Sequence, residues 1–309
     1  MADRKSIWKR LFATRCGAAA FIVVALYAAT AVGVEIYSAV CEMRHTTPVY
    51  LAADEGKRFM PPSAKHWMGT DYRGRSVFAR TVAGCAGAFK VGIIAAGIAI
   101  LIGVTLGAAA GFFGGTVDDI VVWLYSTFAS MPSLLFILSF ALLLGRNYLP
   151  PGVMKTVGGI GRVLRTDPGA LAVYVAIGLT SWTTVCRVVR SETMKLRDRE
   201  FVAAARIAGV SSPTIVCRHI IPNVFHLVII YFTLTFAGAV MMEVLVSYLN
   251  FGAQNFPSWG VMISDGQSCL WRGIWWELAA PTVFIFVLLL ALNLLGDALR
   301  DALDPKNTN

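Results

Sequence analysis

The sequence predicts an all-α integral membrane protein with six transmembrane helices, and three observations support this fold class. Of the 309 residues, 57% are hydrophobic and only 15% are charged, whereas soluble domains are about 45–50% apolar and about 25% charged. The apolar residues fall into six long segments, each near the ~20 residues that a helix needs to cross ~30 Å of hydrocarbon. One polar segment, residues 187–222, interrupts the later spans and predicts a structure outside the bilayer.

The predicted spans are separated by shorter polar stretches. They are roughly Cys16–Val34, Val91–Phe113, Ile120–Leu144, Ala170–Cys186, Val224–Leu249 and Leu278–Leu295. The first is longer than the apolar part of a signal peptide and lacks a small-residue cleavage site, so we interpret it as a retained span. Pro132 interrupts the third, which is tolerable because neighbouring helices can satisfy the freed carbonyl.

Charge predicts the orientation. The N-terminus carries five basic residues against one acidic residue, and the polar segment 187–222 carries seven against three. Because Lys and Arg concentrate in cytoplasmic loops, both regions are predicted to be cytoplasmic, although the loop 41–84 is also basic. The net charge of +9 is therefore a membrane signature rather than a nucleic-acid one. The predicted organisation is a cytoplasmic N-terminus at 1–15, a first transmembrane helix at 16–40, an extracytoplasmic loop at 41–86, a five-helix core at 87–298 and a cytoplasmic tail at 299–309.

The polar segment contains a predicted helix from Lys195 to Ala208. Its apolar positions recur at i, i+3, i+4 and i+7 and form a narrow stripe, which consists of Phe201, Ala204, Ala205 and Ala208. A helix that only rests among lipid headgroups would present bulkier apolar residues. The alanine stripe favours docking into a groove on another protein.

Turn and cap residues predict the ends of this helix and the start of the next. Gly209 is expected to stop the helix at its C′ position. Ser212 offers an N-cap with Pro213 at the first helical position. A second short helix is expected to run to Pro222, which closes the segment before the fifth span.

Several kinds of site are not indicated. The sequence has no G-x-x-x-x-G-K-[ST], G-x-S-x-G or H-E-x-x-H motif, so nucleotide binding and hydrolytic chemistry are not predicted. None of the six cysteines forms C-x-x-C, and the four histidines lack ligand spacing. Whether Cys41 and Cys85 form a disulfide stays open. Mid-span acids are scarce, which counts against an ion-coupled carrier.

Residues 202–223, VAAARIAGVSSPTIVCRHIIPN, resemble the "EAA" loop of permease subunits of binding-protein-dependent ABC importers. The matching positions are Ala204, Ala205, Gly209 and Pro222. Ala203 stands where that pattern has glutamate. Peptide-type members carry E-Y/F-V-x-A-A-R instead, and residues 200–206 fit that version.

Three further stretches resemble the same family. Gly69–Arg80 is similar to G-T-D-x-x-G-R-D-V-x-S-R, with Ser76 and Ala79 as departures. Glu243–Gly252 with the following P-S-W-G resembles E-x-x-L-S-F-L-G-x-G…P-x-W-G, with Val246 and Asn250 as departures. Asn293–Pro305 matches the family's C-terminus. The ordered matches point to the C-type permease of dipeptide, oligopeptide or nickel importers.

The resemblance implies a type I ABC importer permease fold with both termini cytoplasmic and a coupling helix at about 195–221, between spans four and five. It implies a non-catalytic subunit of a bacterial cytoplasmic (inner) membrane complex that forms half of a peptide path. The implied partners are a second homologous permease, two ATPase subunits that bind ATP and Mg, and an extracytoplasmic solute-binding protein, with no nucleic acid and no cofactor in this chain. The implied ATPase-coupling residues are Arg199, Glu200, Phe201, Ala204, Ala205, Arg206, Gly209 and Pro222.

Alternatives remain at this stage. The same architecture serves nickel, opine, glutathione or another small solute, and a self-contained secondary transporter is the more distant alternative. The glycines Gly103, Gly107 and Gly111 form overlapping G-x-x-x-G steps, which predict close helix packing within the permease pair. A ligand path lined by small residues is the alternative. The residues that line the path, and the role of the loop 146–168, are not assigned.

Overall fold

The computed structural model describes residues 12, 14–145, 152, 155, 158–159, 161–162, 164–252 and 256–303, and these are predominantly helical. Most of the loop 146–168 therefore lies outside the described residues. The helices are α1 Arg15–Met43, α2 Val77–Phe113, α3 Gly115–Ser130, α4 Ser133–Gly145, α5 Pro168–Arg197, α6 Glu200–Ile207, α7 Ser212–Ile215, α8 Ile221–Tyr248, α9 Trp259–Cys269 and α10 Trp276–Leu303. A π-turn, Val216–Ile220, joins α7 to α8.

Five of these helical stretches are long and apolar enough to cross a membrane: α1, α2, α5, the continuous α7–α8 and α10. The third predicted span consists of two helices, and the break lies at the position that Pro132 marked. Helices α3 and α4 meet at a bend of 87° and together make the sixth candidate span. Met131, at the bend, has φ −84° and ψ 136°. This extended conformation is expected because Pro132 disfavours the helical region for the residue before it.

Helix α2 begins earlier than its apolar pattern predicted, at Val77 instead of Val91. Its first turn is capped by Ser76, whose Oγ accepts a hydrogen bond from the Ala79 N–H at 3.3 Å. The turns of α2 before Val91 contain polar side chains such as Arg80 and Thr81. The apolar pattern therefore did not include these turns in the predicted span. Both side chains are buried inside the protein.

Helices α2 and α5 run parallel and very close together. Successive glycines of α2 face successive residues of α5: Gly103 faces Val185, Gly107 faces Cys186, and Gly111 faces Thr193. The G-x-x-x-G steps therefore pack two helices of the same chain. Because parallel neighbours start at the same end, the chain between α2 and α5 must return to that end, so the bent pair α3–α4 lies on the returning part of the chain.

Among the described residues four apolar clusters hold the bundle together, and two of them contain most of the buried side chains. The larger one joins the long helices through residues such as Val91, Ile177, Val240 and Leu288. The second, here called the inner cluster, lies where α2 and α5 end. It comprises Val104, Ala108, Phe112, Val185, Val189, Val202, Ala205, Ile215, Val216, Ile220 and Val224.

The outer surface of the bundle carries many exposed apolar side chains, as expected of helices that face lipid. Ile22 and Leu26 of α1 and Phe286 of α10 are each 64% exposed. All six cysteines are free thiols, and Cys41 and Cys85 are both buried.

Candidate functional site

The polar segment between α5 and α8 folds back beneath the ends of the long helices. The predicted continuous helix over 195–208 is wrong, because α5 ends at Arg197 and α6 begins at Glu200. At the break Arg199 adopts an extended conformation, with φ −80° and ψ 150°. The break turns α6 so that its apolar side chains reach the inner cluster, and this burial outweighs the helix propensity of the intervening residues.

One face of α6 is anchored in the bundle. Val202 is fully buried and Ala205 is 9% exposed, and both belong to the inner cluster. The guanidinium of Arg206 lies 5.2 Å from the ring centroid of Phe112, at the end of α2. This distance allows a cation–π interaction. A displacement of α6 must therefore act on the ends of α2 and α5.

Helix α6 ends in the way that the sequence predicted. Gly209 has φ +76°, the left-handed conformation that glycine adopts most readily. The Val210 N–H donates to the Ala205 carbonyl at 3.1 Å, and the Gly209 N–H donates to the Arg206 carbonyl at 3.0 Å. This pair of bonds is the Schellman motif, which satisfies the last carbonyls of a helix.

The second short helix differs from its prediction at both ends. The N-cap is Ser211 rather than Ser212, and regular α-helix lasts only to Ile215 before the π-turn leads directly into α8. Pro222 therefore does not close the segment. It lies exposed in the first turn of α8, where its missing N–H is tolerated.

The opposite face of α6 is exposed and is here called the outer face. It follows the helical spacing i, i+3, i+4, i+7 and i+8 and consists of Glu200, Ala203, Ala204, Ile207 and Ala208. Ile207 is 88% exposed, although it is the largest apolar side chain on this face. The predicted stripe straddles the two faces, because Ala204 and Ala208 point outward whereas Ala205 points inward.

Sequence reasoning missed Ile207. Phe201, at the edge of the outer face, is 39% exposed, and Arg199 and Glu200 are exposed at the start of the helix. A large apolar residue inside the polar segment 187–222 was the available signal. The predicted stripe applied the spacing i, i+3, i+4 and i+7 from Phe201, which leaves Ile207 out. The same spacing applied from Glu200 includes Ile207.

A network of buried charges lies at the other end of the bundle, in the stretch that resembles G-T-D. Asp71 is fully buried, and its Oδ2 accepts hydrogen bonds from Arg75 Nε at 2.7 Å and Arg80 Nη1 at 2.6 Å. Its Oδ1 accepts from the backbone N–H groups of Arg73 and Arg75, both at 2.8 Å. Trp276 Nε1 donates to the Thr70 carbonyl at 3.2 Å. The stretch thus ties the loop before α2 to α10.

The stretch that begins at Glu243 also has a packing role. Glu243 is 6% exposed, and its Oε1 accepts hydrogen bonds from Ser247 Oγ at 2.6 Å and Ser258 Oγ at 2.9 Å. Ser258 also caps α9 by accepting from the Gly260 N–H at 3.2 Å. These contacts join the end of α8 to the start of α9. Among the described residues no group of three His, Cys, Asp or Glu side chains could hold a metal ion.

Comparison with known proteins agrees with this architecture. The sequence pattern of the family described as "Binding-protein-dependent transport system inner membrane component" matches residues 103–309. The chain is 36% identical over 248 residues to the dipeptide transport system permease protein DppC of Bacillus subtilis, covering 80% of this chain and 71% of that protein. It is 31% identical over 306 residues to the oligopeptide transport system permease protein OppC of the same organism, covering 97% and 90%. It is 32% identical over 312 residues to OppC of Salmonella typhimurium, covering 99% and 93%.

Proposed function

Because this chain belongs to the family of binding-protein-dependent transport system inner membrane components, we propose that it is the C-type permease subunit of an ATP-driven importer of di- or oligopeptides. The family places it in the inner membrane as a permease subunit. The peptide substrate is inferred from the names of the relatives, which are dipeptide and oligopeptide transport permeases.

The proposed assembly contains this chain, a second homologous permease, two ATPase subunits and an extracytoplasmic solute-binding protein. The ATPase subunits bind ATP and Mg and carry out hydrolysis, so this chain is non-catalytic. With α3–α4 as one span, the chain crosses the membrane six times, and we infer that both termini are cytoplasmic. Near these termini Ala20 of α1 and Leu295 of α10 share a small buried cluster, which supports placing them at the same end.

We propose that α6 is the coupling helix and that its outer face docks in a groove of one ATPase subunit. The two-sided character of α6 is the observation that carries this proposal. Its inner face is buried against α2 and α5, whereas its outer face presents small side chains around the 88% exposed Ile207. Small residues allow close approach, and an exposed apolar side chain in a cytoplasmic segment fits a pocket on a partner.

The predicted coupling residues take different roles in this proposal. Arg199, Glu200, Phe201 and Ala204 lie where an ATPase subunit would contact them, and Ile207 joins them. Ala205 and Arg206 instead transmit the movement, because they attach α6 to the bundle. Gly209 shapes the turn after α6, and Pro222 starts α8. Closure of the ATPase dimer then moves the ends of α2 and α5 and switches access across the membrane. This requires that the contact between α6 and the ATPase subunit differs between the open and closed ATPase dimers.

Cysteine crosslinking tests the coupling proposal. Single cysteines are introduced by Ile207→Cys and Ala205→Cys in a background without the six native cysteines, together with the partner permease and both ATPase subunits. We expect Ile207→Cys to crosslink to an ATPase subunit with a yield that changes when ATP is added. Ala205→Cys is the matched control on the same helix, and we expect no crosslink because its side chain faces the inner cluster.

The opposite pattern would contradict the proposal. A crosslink at position 205 but not at position 207 would mean that α6 turns its other face to the ATPase. No crosslink at either position in an assembled complex would remove the coupling role from α6. Peptide uptake by this chain without ATPase subunits would instead favour a secondary transporter.

A further inference from the structure

Helix α5 has a polar exposed side, although it is one of the candidate membrane spans. Its exposed or half-exposed polar residues recur at i, i+4, i+7 and i+11 and are Thr180, Thr184, Arg187 and Ser191. A side that faced lipid would be apolar, like those of α1 and α10. Thr180 and Thr184 lie in the apolar part of α5, so this part of the polar side faces water or protein within the membrane. Arg187 and Ser191 continue the same side into the polar segment 187–222.

This side borders a cleft at the bend between α3 and α4. The cleft has a volume of about 280 Å³, and its polar lining consists of Ser133, Thr180, Thr183, Thr184 and Arg187. Phe128 and Phe136 form apolar walls on either side of the bend. The volume is near the lower end of the ~300–1,000 Å³ typical of small-molecule pockets, so one or two amino-acid residues would fill the cleft.

Arg187 supplies a positive charge to this lining. None of the ion pairs found among the described residues includes it, and its guanidinium lies 5.5 Å from the ring centroid of Tyr125. Arg190, three residues further along α5, is paired with Asp118, with 2.5 Å between Nη2 and Oδ2. A guanidinium at the inner end of an apolar stretch attracts an anion. Carboxylates fit it best because their two oxygens accept two parallel hydrogen bonds from the guanidinium.

We propose, on the premise that the chain is a peptide-importing permease, that this cleft is a binding station on the translocation path. Arg187 binds the C-terminal carboxylate of the transported peptide, and the threonine hydroxyls bind its backbone. The Thr184 hydroxyl both donates and accepts hydrogen bonds, so it serves backbone N–H and C=O groups alike. The Thr180 hydroxyl donates to the Ile177 carbonyl at 2.9 Å, so it serves the peptide as an acceptor for backbone N–H groups. The cleft thus recognises the carboxylate and the backbone groups that all peptides share, and it tolerates any side chain of the peptide that the binding protein delivers.

Thiol labelling tests whether the cleft is a water-filled anion site. The complete importer is reconstituted in proteoliposomes with Thr184→Cys in the cysteine-free background. We expect an anionic methanethiosulfonate reagent to label position 184 at least about five times faster than a cationic one, and Arg187→Gln to abolish this preference. Phe286→Cys, on the lipid-facing side of α10, is the control and should stay unlabelled. Failure to label position 184, or equal rates with both reagents, would overturn the proposal.

Substrate protection and transport test the ligand. Trialanine with a free carboxylate should slow labelling at position 184 during turnover, whereas its C-terminal amide should not. Uptake of saturating trialanine should fall about tenfold with Arg187→Gln and recover in part with Arg187→Lys. Unchanged uptake in Arg187→Gln would overturn the path proposal. Loss of assembly in that variant would also overturn the path proposal, because Arg187 would then hold the complex together instead of binding the peptide. Absence of trialanine uptake by the unmodified importer would count against the proposed function itself, so the two failures are distinguishable.

Discussion

Gly107→Leu is expected to abolish the folded protein in the membrane, whereas Gly97→Leu on the same helix should leave it intact. A Cβ atom at position 107 would lie 2.6 Å from the Cys186 carbonyl oxygen and 3.0 Å from the Val189 Cβ atom. The first contact is with backbone, so no side-chain rotation relieves it. Leucine adds three further carbon atoms, which must push α2 and α5 apart.

The expected cost is about 3 kcal/mol or more, the upper end of the range for overpacked interiors. Separation of these helices also affects the neighbouring contacts, because a Cβ atom at Gly103 or Gly111 would likewise lie 2.6 Å from α5 atoms. In lipid, close packing of this kind replaces the hydrophobic drive that holds soluble helices together. Damage at one glycine should therefore spread along the whole α2–α5 interface.

The measurement is the amount of monodisperse protein after detergent extraction, by fluorescence-detected size exclusion. We expect at least a tenfold lower yield for Gly107→Leu than for Gly97→Leu. A Cβ atom at position 97 would meet no other element of the described structure within 4 Å. Equal yields of the two variants would show that α2 and α5 can separate without loss of the fold.

Much of the helical frame was predictable from the sequence, because long apolar segments in a membrane protein have few alternative conformations. The bend between α3 and α4 was not, although Pro132 marked its position. A proline identifies a point where the helix is interrupted, but neighbouring helices decide whether the chain continues straight. Here the cleft between Phe128 and Thr180 lies at the bend, and no local pattern predicts such a space.

The two faces of α6 illustrate a second limit. Helical periodicity groups residues that share a face, but it does not say which face is turned inward. Ala204 and Ala205 look equivalent in sequence, yet only Ala205 enters the inner cluster. Residues of other elements in the inner cluster determine which face of α6 is buried. Among them are Phe112, which precedes α6 in the sequence, and Ile220, which follows it.

The stretches that identified the family gave little information about their own roles. Asp71 and Glu243 were recognisable as parts of patterns, but their partners lie in other elements. The hydrogen bond between Trp276 and Thr70 joins residues 206 positions apart in the chain. Sequence patterns of this kind name the residues that pack together, but only the three-dimensional structure shows which residues contact each other.

Asp71→Asn is expected to destabilise the protein by about 3–5 kcal/mol, the usual cost of breaking a buried ion pair from one side. Asparagine keeps the shape of the side chain but removes the negative charge. Arg75 and Arg80, which are 9% and 4% exposed, would then lose the carboxylate that accepts their hydrogen bonds.

Asp54→Asn is the matched control in the same loop. Asp54 is exposed and forms an ion pair with Lys57 at 2.5 Å. The Lys57 ammonium lowers the pKa of Asp54 through a hydrogen bond. Water and salt screen such an exposed pair, so the control should unfold at nearly the same temperature as the parent protein. The measurement is the thermal unfolding midpoint in detergent, followed by tryptophan fluorescence.

A double variant separates charge from packing. If Asp71→Asn loses stability because two buried guanidiniums lack a counter-charge, adding Arg80→Gln removes one of these guanidiniums. The double variant should then regain part of the stability. If the two single losses simply add, Asp71 and Arg80 are energetically uncoupled, and the unpaired buried charge is not the cause of the loss. The same variants report on the proposed function, because the network ties the loop before α2 to α10 at the end of the bundle away from α6. Destabilised but assembled Asp71→Asn importer should therefore keep the ATP-sensitive crosslink at position 207.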